Sequence, residues 1–183
     1  MPAAGYAPDA PGPSADQSFT TDAWGEITGA TVGAASISYD QDAFGRTLTR
    51  TEGSSTTTLT YEGITEQLAT STTGTTMSTY ASTPGGPLAE RVGTDPRRLY
   101  LRDLHSDIVG LVGDTDSEPV VRAYYSAWGE PTWSDAAPSL GFQGQPTDPA
   151  TGLVDMTTRS YVPSLGRFAS RDVLFGGYRH PPA

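Results

Sequence analysis

Three groupings of side chains invite a chemical reading. Asp103, His105 and Ser106 bring an acid, a base and a hydroxyl within four positions. Alternate residues of a strand point to opposite faces, so near neighbours in an extended run do not converge as a triad. His105 therefore reads as a turn or rim histidine, and His180, the other histidine, shares no ligand spacing with it. Asp114, Asp116 and Glu118 begin like a calcium loop. Such a loop needs Gly at its sixth position and Glu at its twelfth, and these are Pro119 and Tyr125. That stretch is expected to be a solvated hairpin turn, with no metal site. Arg91, Arg97, Arg98 and Arg102 form a basic cluster, suited either to phosphate or acidic glycan or to pairing with nearby acids. No phosphate-cradling Gly loop, zinc pattern or Gly-x-Ser-x-Gly elbow is present, and no cofactor is expected.

The elements that position these groups are read from composition and spacing. The chain has 183 residues, of which 26 are Thr, 17 Ser, 21 Gly and 15 Pro. Leu, Ile, Val and Phe make up about 16%, below the roughly 20% at which disorder becomes a concern. A self-sufficient helical or doubly wound enzyme is not expected. The formal charge is −10, the wrong sign for a nucleic-acid or anionic-membrane binder. Residues 1–90 carry 2 Arg against 10 acids, and the rest nearly balance. Cys is absent, which removes disulfides and thiolate chemistry. No run approaches 18 apolar residues, and the first residues lack the basic and apolar regions of a signal peptide.

Residues 1–20, rich in Ala, Pro, Gly and Asp, read as a linker or disordered tail. From 21 to 95, short β-branched runs alternate with Gly-containing turns: Arg46–Thr51, Thr56–Tyr61, Gln67–Ser71 and Thr75–Tyr80. This spacing predicts hairpin-linked strands. From 96 to 172 Arg and larger apolar residues increase, and strands are expected at Tyr100–Arg102, Asp107–Gly113, Val120–Ser126 and Leu153–Tyr161. Three segments share one frame: Asp22-Ala-Trp-Gly-Glu26, Asp42-Ala-Phe-Gly-Arg46 and Ser126-Ala-Trp-Gly-Glu130. In each, Gly can take positive φ at a tight turn, and the aromatic before it (Trp24, Phe44 or Trp128) can cover the turn and dock on the sheet.

In this order the motifs resemble the RHS/YD-repeat proteins, namely the end of the repeat array and the RHS repeat-associated core. Tyr39-Asp40 with Ala43-Phe44-Gly45-Arg46 resembles a YD repeat. Tyr100 to Asp114, Tyr125 to Glu130, Phe142 to Gln145, Asp148 to Leu153 and Pro163 to Asp172 follow the core motifs over about residues 22–172. The resemblance implies an all-β fold, an antiparallel hairpin-built sheet forming a segment of a β-spiral shell. It further implies a secreted or cell-surface location and partners among other repeats, neighbouring subunits, a C-terminal toxin and its immunity protein. Nucleic acid and membrane insertion are not expected. The implied role is a structural module that encapsulates or displays an effector this chain lacks. Other possibilities are a vestigial self-cleaving core and a surface module binding carbohydrate or a neighbouring cell through exposed aromatics such as Trp24, Phe44 and Trp128 and the Arg91–Arg102 cluster.

In encapsulating members an aspartate just after the core cleaves the chain, which points to Asp172 with Arg171. The family commonly continues Arg-Asp-Pro-x-Gly there, whereas Arg171-Asp172 is followed by Val173. Aspartyl hydrolysis needs two carboxylates sharing a proton, and no second acid follows Asp172. Val154-Asp155 also replaces an aromatic pair after Thr-Gly-Leu, and Tyr161-Val162-Pro163 replaces Tyr-Asp-Pro. The chain is therefore expected to be a terminal fragment, truncated cassette or degenerate copy, with no enzymatic activity.

Overall fold

The computed structural model describes residues 17–169 except Trp24 and Thr158. The strands are β1 (Gln17–Thr21), β2 (Ile27–Val32), β3 (Ala35–Gln41), β4 (Thr47–Glu52), β5 (Ser55–Tyr61) and β6 (Leu68–Thr73). They continue as β7 (Thr76–Thr83), β8 (Gly86–Val92), β9 (Arg98–Arg102), β10 (Ile108–Gly113), β11 (Val121–Tyr125) and β12 (Pro131–Trp133). All twelve pair antiparallel with their sequence neighbours in one sheet. Such an uncrossed meander follows from short connections, because a turn of two to seven residues returns the chain beside itself. Gln17–Thr20, read from composition as tail, belong to β1. Phe19 packs against the buried cluster of Ile27, Leu153 and Val162, and that contact gives the strand an apolar anchor.

From β1 to β7 the connections alternate between two kinds. Along one edge, β2–β3, β4–β5 and β6–β7 turn in two residues with Gly first, at φ +56° (Gly33), +58° (Gly53) and +58° (Gly74). Along the other edge, longer loops join β1–β2, β3–β4, β5–β6, β9–β10 and β11–β12, while β7–β8 turns there at Pro84-Gly85. The longer β8–β9 and β10–β11 loops return to the first edge.

The pleat sorts the side chains. Tyr39, Arg50, Leu59, Ser71 and Tyr80 face inward around a cavity. On the opposite face, register places Asp40, Thr49, Thr58, Thr72 and Met77 in one row across five strands. Thr60 and Thr70 hydroxyls bond across that face at 2.7 Å. β-branched Thr suits such a solvated pleat because it packs beside its cross-strand neighbour while keeping a polar tip.

The C-terminal stretch then folds over the inner face. It contains a 3₁₀ turn at Phe142–Gly144, a second at Pro163–Leu165, and a small antiparallel sheet. That sheet comprises β13 (Val154–Asp155), β14 (Ser160–Val162) and β15 (Arg167–Phe168). The single run expected over 153–161 is interrupted where Met156 N–H donates to the Arg159 carbonyl and Thr157 takes φ +68°.

This stretch completes both cores. Leu140 joins Leu68, Tyr80, Tyr100, Ile108, Leu111 and Val121; Leu153 and Val162 join Ile27. The small aliphatic total suffices because tyrosines share the work. Tyr80, Tyr100 and Tyr161 are buried, and their hydroxyls bond to Ser139, Glu90 and the Trp128 carbonyl at 2.8 Å each. A buried ring contributes a large apolar area provided its hydroxyl finds a partner.

Candidate functional site: the loop edge and the inner cleft

The three-segment frame forms a definite loop. In Asp42–Arg46, Asp42 N–H donates to the Arg46 carbonyl and Gly45 N–H to the Asp42 carbonyl, each at 3.0 Å. Asp42 Oδ1 accepts from the Phe44 and Arg46 N–H groups at 2.8 and 3.1 Å. Ser126 Oγ does the same for Trp128 and Glu130. The fourth position takes positive φ: +88° at Gly25, +79° at Gly45 and +85° at Gly129.

A further example had no Gly to mark it. Asp103–Asp107 has the same backbone bonds and the same carboxylate cap, with Ser106 at φ +72°. The legible signal was the capping Asp itself, whose side chain bonds N–H groups two and four residues on. Asp103, His105 and Ser106 are therefore parts of one turn. His105 Nδ1 instead meets Asp107 Oδ1 at 3.1 Å, and that oxygen accepts from Gln143 N–H at 2.7 Å.

Arg46 shows what the Gly-Arg step does. Its guanidinium pairs with Asp42 at 2.6 Å, lies 4.7 Å from the Tyr61 ring centroid, and donates to the Gly63 and Thr65 carbonyls. One side chain thus ties two successive loops of this edge.

Phe44 and Trp128 stay 60% and 63% exposed rather than buried on the sheet, and the Trp128 ring lies against Gly166. The inward tyrosines cover the sheet instead. Trp24, Arg171 and Asp172 lie outside the described residues. The Arg91–Arg102 cluster is dispersed: Arg97 pairs with Asp114, Arg98 with buried Glu90, and Arg102 donates to the Gly85 carbonyl. Asp116 accepts from Gly113 N–H and Glu118 pairs with Arg122, so those acids serve their own hairpin. Among the described residues no group of His, Asp and Glu could hold a metal ion. Nor is any described helix long and apolar enough to cross a membrane.

Between sheet and C-terminal stretch lies a cavity of about 380 Å³ lined by Leu59, Tyr80, Trp133, Tyr39, Arg50 and Asp148 among others. Asp148 is the latch across it. Its carboxylate pairs with Arg50, accepts from the Tyr39 hydroxyl at 2.8 Å and caps the Ala150 and Thr151 N–H groups. Burial raises its pKa, but the bonds from Arg50, Thr151 and Tyr39 outweigh that and hold it below the usual carboxylate range. Burial beside this carboxylate pushes Tyr39 upward.

Asp155 is treated differently. Burial pushes its carboxyl up to about 6, against the bonds from Thr47 and from Thr157 N–H, and Glu66 adds to the rise. Its Oδ2 accepts from the Thr47 hydroxyl at 3.0 Å. The two aspartates thus diverge because a guanidinium bonds to Asp148, whereas a hydroxyl and a backbone N–H bond to Asp155.

This architecture has counterparts. The Teneurin YD-shell family model matches residues 4–179. The chain belongs to the YD-shell family. Among solved structures, this YD-shell fold superposes on the TcdB2–TccC3 crystal structure with TM-score 0.67 over 87% of the chain, at 17% identity. The Photorhabdus luminescens Tc holotoxin pore gives 0.65 over 88% at 16% identity. The tRNA3(Ser)-specific nuclease WapA of Bacillus spizizenii is 26% identical over 141 residues, 73% of this chain. The YD-shell segment spans 9% of each of those structures' chains and 6% of WapA. It is RHS/YD-repeat in kind, all-β, and built as shell wall.

Proposed function

We propose that this chain is a structural wall segment whose C-terminal stretch lines the inside of a shell that encloses or displays a C-terminal effector. The observation that carries the reading is the difference between the faces. One face is a solvated Thr surface, while the other is covered by the chain's own later residues and leaves a cavity beneath them. A wall that separates an inside from an outside needs this asymmetry, and an antiparallel sheet with one packed and one solvated face supplies it. The matches to TccC3 and to WapA, large proteins named as toxin component and nuclease, support an effector elsewhere in the same assembly. On this reading the protein is exported, and the wall performs no catalysis.

Protease protection tests it in the protein as its own cells produce it. An epitope in the Gly53–Ser54 turn should be removed, while one at the C-terminus survives until the shell is denatured. Equal loss of both would overturn the reading. Mass spectrometry separates the self-cleaving alternative: the chain should keep its intact mass on incubation, unchanged by Asp172→Ala.

A further inference from the structure

The two apolar clusters of the molecule are separate, and the cavity of about 380 Å³ lies between them. Leu59, Leu68, Tyr80 and Trp133 line it from the first cluster, Ile27 and Leu153 from the second. Packed interiors leave few voids larger than a water, whereas small-molecule sites run from about 300 to 1,000 Å³. Water fills this gap poorly. A held water needs several polar partners, and these walls are largely aliphatic and aromatic.

The lining is graded from floor to rim. Along β6, Leu68 is buried, Ser71 half-buried and Thr73 exposed; along β7, Tyr80 is buried and Ser78 half-buried. Thr57 of β5 meets Thr73 at the rim, hydroxyl to hydroxyl at 2.6 Å. That bond uses one of the two protons, so the pair keeps a donor and spare lone pairs. On the opposite wall stand Pro138, Pro146 and Pro149, which have no backbone N–H to offer. Polar recognition is thereby concentrated at one end.

The charged groups of the lining are already engaged. Arg50 pairs with Asp148 and Glu52, and Asp155 accepts from the Thr47 hydroxyl and the Thr157 N–H. None is left to neutralise a charge on a ligand, and an unmatched buried charge is costly.

We infer that this cavity is a binding site for an uncharged small molecule with an apolar body and a hydroxyl or carbonyl at one end. The body joins the two clusters into one core, and the polar end meets Thr57 and Thr73 at the rim. This goes beyond the wall reading and does not rest on it.

Titration of the whole chain with N-phenylnaphthylamine, a neutral apolar dye, followed by its fluorescence, tests the site. The wild type should bind the dye saturably and release it to decanol. Decanoate and decylammonium should compete at least tenfold more weakly. Thr57→Trp fills the rim and should weaken dye binding at least tenfold, as should Ser78→Trp from the neighbouring β7 side. Thr58→Trp, on the outer face of the same strand as Thr57, should leave binding unchanged. Circular dichroism checks that each variant keeps the β spectrum of the wild type. Absence of saturable binding by the folded wild type overturns the site, as does equal competition by the charged chains or a folded rim variant that binds like wild type. None of these results bears on the wall, which protease protection decides separately.

Discussion

The inner and outer faces of the same strands obey different rules. Inward, Tyr39, Arg50, Leu59 and Tyr80 meet residues from 134–169, and the Tyr39, Arg50 and Tyr80 polar groups each find a partner more than fifty positions away. Outward, threonines bond only to the next strand. The inner face therefore depends on tertiary closure, and the outer face on local register. This difference makes a low aliphatic content compatible with order: one face of the sheet needs a core, and the other needs only water-compatible β formers.

Substitutions should sharpen that contrast, beginning with the latch. Asp148→Ala leaves the largely buried Arg50 guanidinium with Glu52 as its remaining carboxylate and removes the acceptor of the Tyr39 hydroxyl and of the Ala150 and Thr151 N–H groups. It should cost about 3–5 kcal/mol, read as a large fall in the denaturation midpoint. Leu153→Ala, which empties part of the second core, should cost about 2–5 kcal/mol by the same measurement. A cost below that of a surface change would break the claim that the C-terminal stretch is integral to the fold.

The Asp155 prediction concerns pH. Its folded pKa, about 6, exceeds the unfolded value near ~3.9. The folded state is therefore favoured most at low pH, and this contribution is lost as pH rises through 6. Asp155→Asn should gain about 3 kcal/mol relative to wild type at pH 8 and little at pH 4, because a tenfold change in proton affinity on folding is worth about 1.4 kcal/mol and the shift spans about two such factors. Chemical denaturation at both pH values checks it; a pH-independent difference would sink the assignment. Asp148 runs oppositely: its folded pKa is lowered, so its contribution is present at neutral pH and lost in acid.

Smaller effects should separate the loops and the outer face. Ser106→Gly relieves a left-handed backbone and should stabilise by about 0.5–1 kcal/mol, visible as a modest rise in Tm; a fall would show that the Ser106 side chain matters more than its φ. Thr58→Ala on the outer face should shift stability by no more than about 0.5 kcal/mol. A cost matching Leu153→Ala would mean that this face is covered after all.

Much of the architecture was legible from spacing. β5, β9 and β11 fall within a residue or two of their expected bounds, because strand runs and Gly turns are local signals. The Asp/Ser-x-x-Gly frame was visible for the same reason. Loop 103–107 was not, since Ser106 hides the positive φ that a Gly would have announced. Nor could spacing show that Phe44 and Trp128 stay largely exposed, which depends on how each loop leaves its strands.

The sequence by itself determined the all-β class, the hairpin order, the repeated loop and the family, since turn chemistry and a two-residue pleat act over a few neighbouring positions. Only the tertiary structure decided that residues 134–169 fold back over one face. It joined Asp148 to Arg50 across 98 positions and buried Asp155 against the Thr47 hydroxyl and the Thr157 N–H. Which acid is matched by a base depends on register accumulated over twelve strands, and the pattern within any single strand does not carry it.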